Sequence, residues 1–267
     1  MPADHLTEAP AFLPEDSEER RWLHASITFP DWEAAEQAMA SAVAPLLDDV
    51  TMNWSYLRKH PCWRVRVRDA PPGAIEDVLG RLRGERVITG WQPGTYEPEA
   101  FAFGGPTGMD ITHDLFCADS HAILAYLRSH CGTGRREASL LAISAMLAAA
   151  GLDTFERGDV MHKVASLRPP APGSGDPNMT SLSAQLRTLL GIPPMPALRE
   201  LSAEPWGLAF YTAGHRLAQA AGMETLTRGL RAVLAHNVIF HWNRLGLSAK
   251  TQGILASAAR DAWIPPC

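Results

Sequence analysis

At 267 residues, with 46% hydrophobic and 20% charged side chains, the chain can bury a sizeable core, and this composition excludes disorder and fibrous repeats. A formal net charge of -5 and a pI near 6.1 argue against nucleic acid as the main partner. No run approaches the roughly 18 unbroken apolar residues of a membrane span, and the acidic, proline-containing start lacks the pattern of a signal peptide, so a cytoplasmic protein without membrane contact is expected.

Residues 1–20 read as a flexible leader to one domain over 21–267. Trp22 to Phe29 alternates with the two-residue rhythm of a half-buried strand, and Asp31 is a plausible N-cap for an alanine-rich helix from Trp32 to Leu47. Asn53 to Arg58 and Trp63 to Arg68 form a strand pair about a turn at His60-Pro61, and Gly73 to Arg83 follows as a helix. Trp91 to Phe103 reads as extended and irregular, with a break at Gly104-Gly105-Pro106.

Beyond Met109 the spacing predicts helices over 120–129, 136–150 and 154–167. Pro and Gly crowd positions 168–178, which mark a mobile surface loop. Helices resume at 180–190, 206–221, 224–242 and 248–263. The expected fold class is α+β: a small, mostly antiparallel sheet in the N-terminal half packed with a helix-rich C-terminal half.

Several residues could carry chemistry. Arg64, Arg66 and Arg68 share one face of a strand whose other face holds Trp63, Val65 and Val67; that face is either solvated beside carboxylates or a site for a carboxylate, phosphate or acidic peptide. Asp119-Ser120-His121 precedes a helical pattern and could be an N-cap, and three consecutive residues do not make a catalytic triad. His241-Trp242-Asn243-Arg244 ends an apolar helix, where a cation could simply meet the terminal carbonyls. Tyr211 and His215, four apart, share a helix face; they could move protons across a cleft that Trp206 walls, or be a core tyrosine and a surface histidine. Cys62, Cys117, Cys131 and Cys267 form no metal-ligand spacing, and Gly104-Gly105 lacks the rest of a phosphate loop, so no structural metal or nucleotide is expected.

Trp22-Leu23, Tyr56-Leu57-Arg58, Trp63 to Arg68, Tyr96-Glu97-Pro98-Glu99 with Phe103-Gly104-Gly105, Phe116-Cys117-Ala118-Asp119-Ser120 and Asn243-Arg244-Leu245-Gly246 occur in that order. In this succession the chain resembles the C-terminal elimination domain of lantibiotic dehydratases, in the stand-alone form of thiopeptide biosynthesis. The resemblance implies a precursor-peptide substrate, no metal or organic cofactor, and one of two reactions. Elimination removes glutamate from glutamylated serine or threonine; pyridine synthases join two dehydroalanines in a formal [4+2] cycloaddition with loss of water and the leader peptide.

By the same resemblance, Arg66, Arg68 and Glu99 match family residues, whereas Ala102 and Ile239 stand where the elimination pattern has arginine and histidine. Cycloaddition is therefore expected, with glutamate elimination and a non-catalytic leader-binding scaffold as alternatives. Tyr211, His215 and His241 are the leading acid–base candidates, followed by Glu99 and Asp119. Trp206 and Trp242 are expected to wall the azole-rich core peptide, and Arg64, Arg66 and Arg68 to hold the leader; other tailoring enzymes of the pathway are further possible partners.

Overall fold

The computed structural model describes residues 22–130, 134–169 and 178–264, so the leader and most of the Pro/Gly-rich loop lie outside the described residues. Four antiparallel strands form one sheet in the order β2-β3-β1-β4: β1 Trp22–Thr28, β2 Trp54–Lys59, β3 Cys62–Arg68 and β4 Gly90–Gly94. Strands β2 and β3 join through His60 and Pro61, and their register sets Val65 opposite Tyr56 and Arg66 opposite Ser55. Alternation then sorts the side chains. Ile27, Trp54, Tyr56, Trp63, Val65 and Val67 face a core, while Trp22, His24 and the three arginines occupy the other face.

That core is closed by a helical run of α1 Ala35–Ala38, a π turn over Met39–Val43 and α2 Ala44–Asp48, and by α3 Ala74–Gly84. Asp31 caps no α-helical turn; its carboxylate accepts from the Glu33 backbone N–H at 2.9 Å ahead of the helix. The extended stretch after α3 contains β4, which pairs with β1 and gives the sheet its last edge.

The rest is helical: α4 Gly105–His130, α5 Arg135–Ala149, α6 Thr154–Leu167, α7 Met179–Leu190, α8 Pro194–Glu200, α9 Glu204–Gly222, α10 Leu230–Leu245 and α11 Ala249–Trp263. Helix α5 is buried on nearly every side from Ala138 to Leu147 and forms the hub of the second core. It meets α9 closely at Gly214, where an added Cβ would stand 2.1 Å from the Met146 carbonyl oxygen.

Helix α4 begins fifteen residues before the expected 120–129 segment. Gly104 and Gly105 both adopt φ +88°, and Pro106 stands in the first turn, where its missing N–H costs nothing. The glycine pair is thus the entry to the helix. Asp119 and Ser120 consequently lie in mid-helix, which corrects the N-cap reading. Helix α8, absent from the sequence reading, likewise carries Pro194 in its first turn. Helix α10 starts at Leu230 and not at Glu224. The sheet and helical layers are linked by Glu36, which pairs with Arg58 of β2 and, at 3.0 Å, with Arg135 of α5.

Candidate functional site

The structure holds three polar neighbourhoods, of which the first two contain most of the residues singled out from sequence. The first is sealed. Asp119 of α4, His241 and Arg244 of α10 are at most 1% exposed. The Asp119 carboxylate accepts from Trp206 Nε1 at 2.8 Å, His241 Nδ1 at 2.9 Å and Arg244 Nε at 2.7 Å. His241 Nε2 lies 2.7 Å from Ser139 Oγ, which accepts from Trp242 Nε1 at 3.0 Å. Burial alone would raise the Asp119 carboxyl, but the His241 and Arg244 charges and hydrogen bonds outweigh it and hold it below the ordinary carboxylate value.

This arrangement revises several expectations. His241 is engaged at both ring nitrogens, and Trp206 and Trp242 spend their N–H groups within the same buried network, so none of the three presents itself to a substrate. Tyr211, 46% exposed, and exposed His215 stand on the outer face of α9, while Phe210 on its inner face packs against the His241 ring. The expected cleft shared by Tyr211, His215 and His241 is not formed, because Tyr211 and His215 share the solvent face of α9 while Phe210, on another face of the helix, meets His241.

The second neighbourhood is the arginine face of the sheet. Arg66 lies over the Tyr96 ring, 4.2 Å from its centroid, and Tyr96 Oη bonds His113 Nε2 at 2.8 Å. Trp22 packs against both rings. Arg68 lies over Trp22 and pairs with Asp114 at 3.2 Å, and Asp114 also holds Arg216 at 2.7 Å. Burial lowers the Arg66 guanidinium and raises the Tyr96 phenol. Burial, followed by the charges of Arg68 and Arg66, pushes His113 down to about 4, so its imidazole is neutral at pH 7. Among the described residues Arg64 has no ion pair, and Arg66 Nε is buried without a hydrogen bond. Exposed Glu99 acts electrostatically on Arg66 from the rim. The face can hold an anion and pass a proton through Tyr96 and His113, neither of which sequence spacing had joined. Beside it, Asp114, Ile111, Leu115, Leu208 and Ala209 line an apolar groove of about 310 Å³ between α4 and α9.

The third neighbourhood lies between α6 and α10. His236, Arg228, His162, Lys163 and Ser166 line a cavity of about 350 Å³. Arg228 Nη1 donates to the Ala102 carbonyl at 2.9 Å, which fastens the cavity to the chain segment that follows Glu99. No signal of local spacing connects Arg228 to Ala102, and these residues escaped the sequence reading.

The family of the lantibiotic biosynthesis dehydratase C-terminus matches residues 22–263. The chain belongs to that family. The chain is similar in fold to the tRNA-dependent lantibiotic dehydratase MibB from Microbispora sp. 107891, at 20% identity and a TM-score of 0.65, over 94% of this chain and 28% of that one. It thus spans under a third of MibB. It is also similar to TsrL, at 17% identity and a TM-score of 0.59, with 90% and 93% of the two chains covered. The pyridine synthase TbtD from thiomuracin biosynthesis matches at 13% identity and a TM-score of 0.57, over 91% of this chain and 97% of that one. Among curated proteins none matches the sequence. The α+β architecture is that of the family. Among the described residues no helix is long and apolar enough to cross a membrane.

Proposed function

We propose that this protein forms a pyridine-type ring in a dehydrated, azole-containing precursor peptide, by formal [4+2] cycloaddition between two dehydroalanines. The observation that carries this reading is the apolar setting of the two positions where the elimination pattern has arginine and histidine. Ala102 packs against the Phe103, Met109 and Phe116 cluster, and Ile239 is 3% exposed within the helical core. Neither offers a cation to a departing glutamate or a base to an α-proton, whereas cycloaddition can spare both. The fold shared with a pyridine synthase over nearly its whole length is consistent with that preference.

In this reading the amide preceding one dehydroalanine tautomerises to its iminol, and the resulting azadiene adds across the second alkene. Loss of water and of the leader peptide makes the ring aromatic. The protein's main contribution is to hold two remote parts of one peptide in a reactive pose, for which effective molarities are very large. Arg64 and Arg66 would hold acidic leader side chains or carbonyl oxygens, Glu99 would stand at the rim, and the groove beside Asp114 would take apolar core residues.

Mass spectrometry of the intact protein with two peptides tests the reading. A dehydrated, azole-bearing peptide should give a macrocycle and free leader, and a glutamylated peptide should be unchanged. Glutamate loss from the second peptide would assign elimination instead, and tight binding without any mass change would assign a scaffold.

A further inference from the structure

Tautomerisation of an amide needs a base for its N–H and a donor for its oxygen, yet His241 is locked in the core and Tyr211 and His215 stand outside it. The cavity between α6 and α10 offers both groups. His236 Nδ1 has two neighbours: the Ala232 carbonyl oxygen at 3.2 Å and Arg228 Nη1 at 3.4 Å. A carbonyl only accepts and a guanidinium only donates, so Nδ1 cannot bond both. The carbonyl is nearer, and Arg228 Nη1 already donates to Ala102 at 2.9 Å. The proton therefore sits on Nδ1, and Nε2 is the basic nitrogen of a ring that lines the cavity. Burial, with the Arg228 charge also opposing protonation, lowers the pKa of His236 and favours this neutral form.

The Glu99 carboxylate acts electrostatically on the Arg66 guanidinium of the arginine face and on His236 of the cavity, and Arg228 Nη1 holds the Ala102 carbonyl in the segment that follows Glu99. Resting on the cycloaddition reading, we propose that His236 is the proton acceptor and Arg228 the oxygen-facing cation of the tautomerisation, with the reacting amide of the peptide bound in the cavity between α6 and α10.

Nε2 takes the amide proton as the N–H electron pair forms the C=N bond and the carbonyl π pair moves onto oxygen. The free donors of Arg228 face that oxygen, and the imidazolium then returns the proton to it. The iminol forms with no net gain or loss of protons, and the base is regenerated for the next peptide.

The test uses the full chain. First, ¹³Cε1-labelled histidine is observed by NMR while the dehydrated, azole-bearing peptide is added, with the His236 signal assigned from His236→Gln. The signal should move with peptide; a bound peptide that leaves it unmoved overturns the proposal. Second, His236→Gln and Arg228→Met are compared with the parent in single turnover. Loss of the base should slow ring formation by about 10²-fold to 10⁴-fold with peptide affinity little changed.

Equal rates in His236→Gln would overturn the proposal and leave the cycloaddition reading standing. If the parent forms no ring, the cycloaddition reading fails, and the NMR titration alone decides the site: a moved His236 signal keeps the cavity as a peptide site, and an unmoved one removes it.

Discussion

Asp119 shows what a buried charge requires. Its carboxylate is matched by one guanidinium, one imidazole and one indole N–H, which together outweigh the cost of burial. Removing it strands Arg244 inside the core, where Arg244 Nη2 already lacks a hydrogen bond and the guanidinium rests over Phe116. Asp119→Ala is expected to lose about 3–5 kcal/mol, the range for breaking one side of a buried pair, as measured by urea denaturation. A loss below about 1 kcal/mol would show that the buried network does not carry the stability assigned to it.

His113 gives a second residue-scale expectation, in the opposite chemical sense. Its folded pKa, near 4, lies below the ordinary 6.5, so the unfolded chain binds the extra proton first. The stabilisation from a neutral His113 is complete above pH 6.5 and is lost as pH falls from there towards 4. Denaturation midpoints across that window should fall more steeply for the parent than for His113→Gln. Parallel curves would show that His113 does not carry the dependence.

At the scale of elements, strand β3 was legible because a period of two is visible in Trp63 to Arg68 without knowledge of the fold. What the arginines meet was not legible. Arg66 stacks on Tyr96 and Arg68 is tied to Asp114, contacts brought together by α4 and by the chain before it. Arg66→Gln should therefore weaken leader-peptide affinity, with a deficit that shrinks as salt rises, while the thermal midpoint moves little. Arg68→Gln should also lower stability, because Asp114 and Arg216 lose a partner. Unchanged affinity in Arg66→Gln would make this face structural.

Helix α4 shows the opposite case. Gly104-Gly105-Pro106 has the composition of a breaker, and only the positive φ angles and the Pro in the first turn turn it into a helix start. The polar pair Asp119-Ser120 then read as a cap, although its partners lie more than a hundred residues away on α10 and its backbone contact on β2. Local spacing carries caps and strand faces; it does not carry convergence across the chain.

For the molecule as a whole, the family and fold follow from motifs spread from Trp22 to Gly246, but the working side of each helix does not. Tyr211 and His215 share a helix face as expected, and that face is the outer one. Arg228 reaches the Ala102 carbonyl and His236 the Phe103 ring, contacts between parts of the chain more than a hundred residues apart that local spacing does not reveal. The proposed joining of two dehydroalanines is read out by ¹³C NMR of a dehydrated, azole-bearing peptide whose two dehydroalanine methylene carbons are labelled, incubated with the intact protein. Both signals should leave the alkene region and reappear as aromatic ring carbons as free leader accumulates. Alkene signals that persist while the peptide is bound would contradict the proposal.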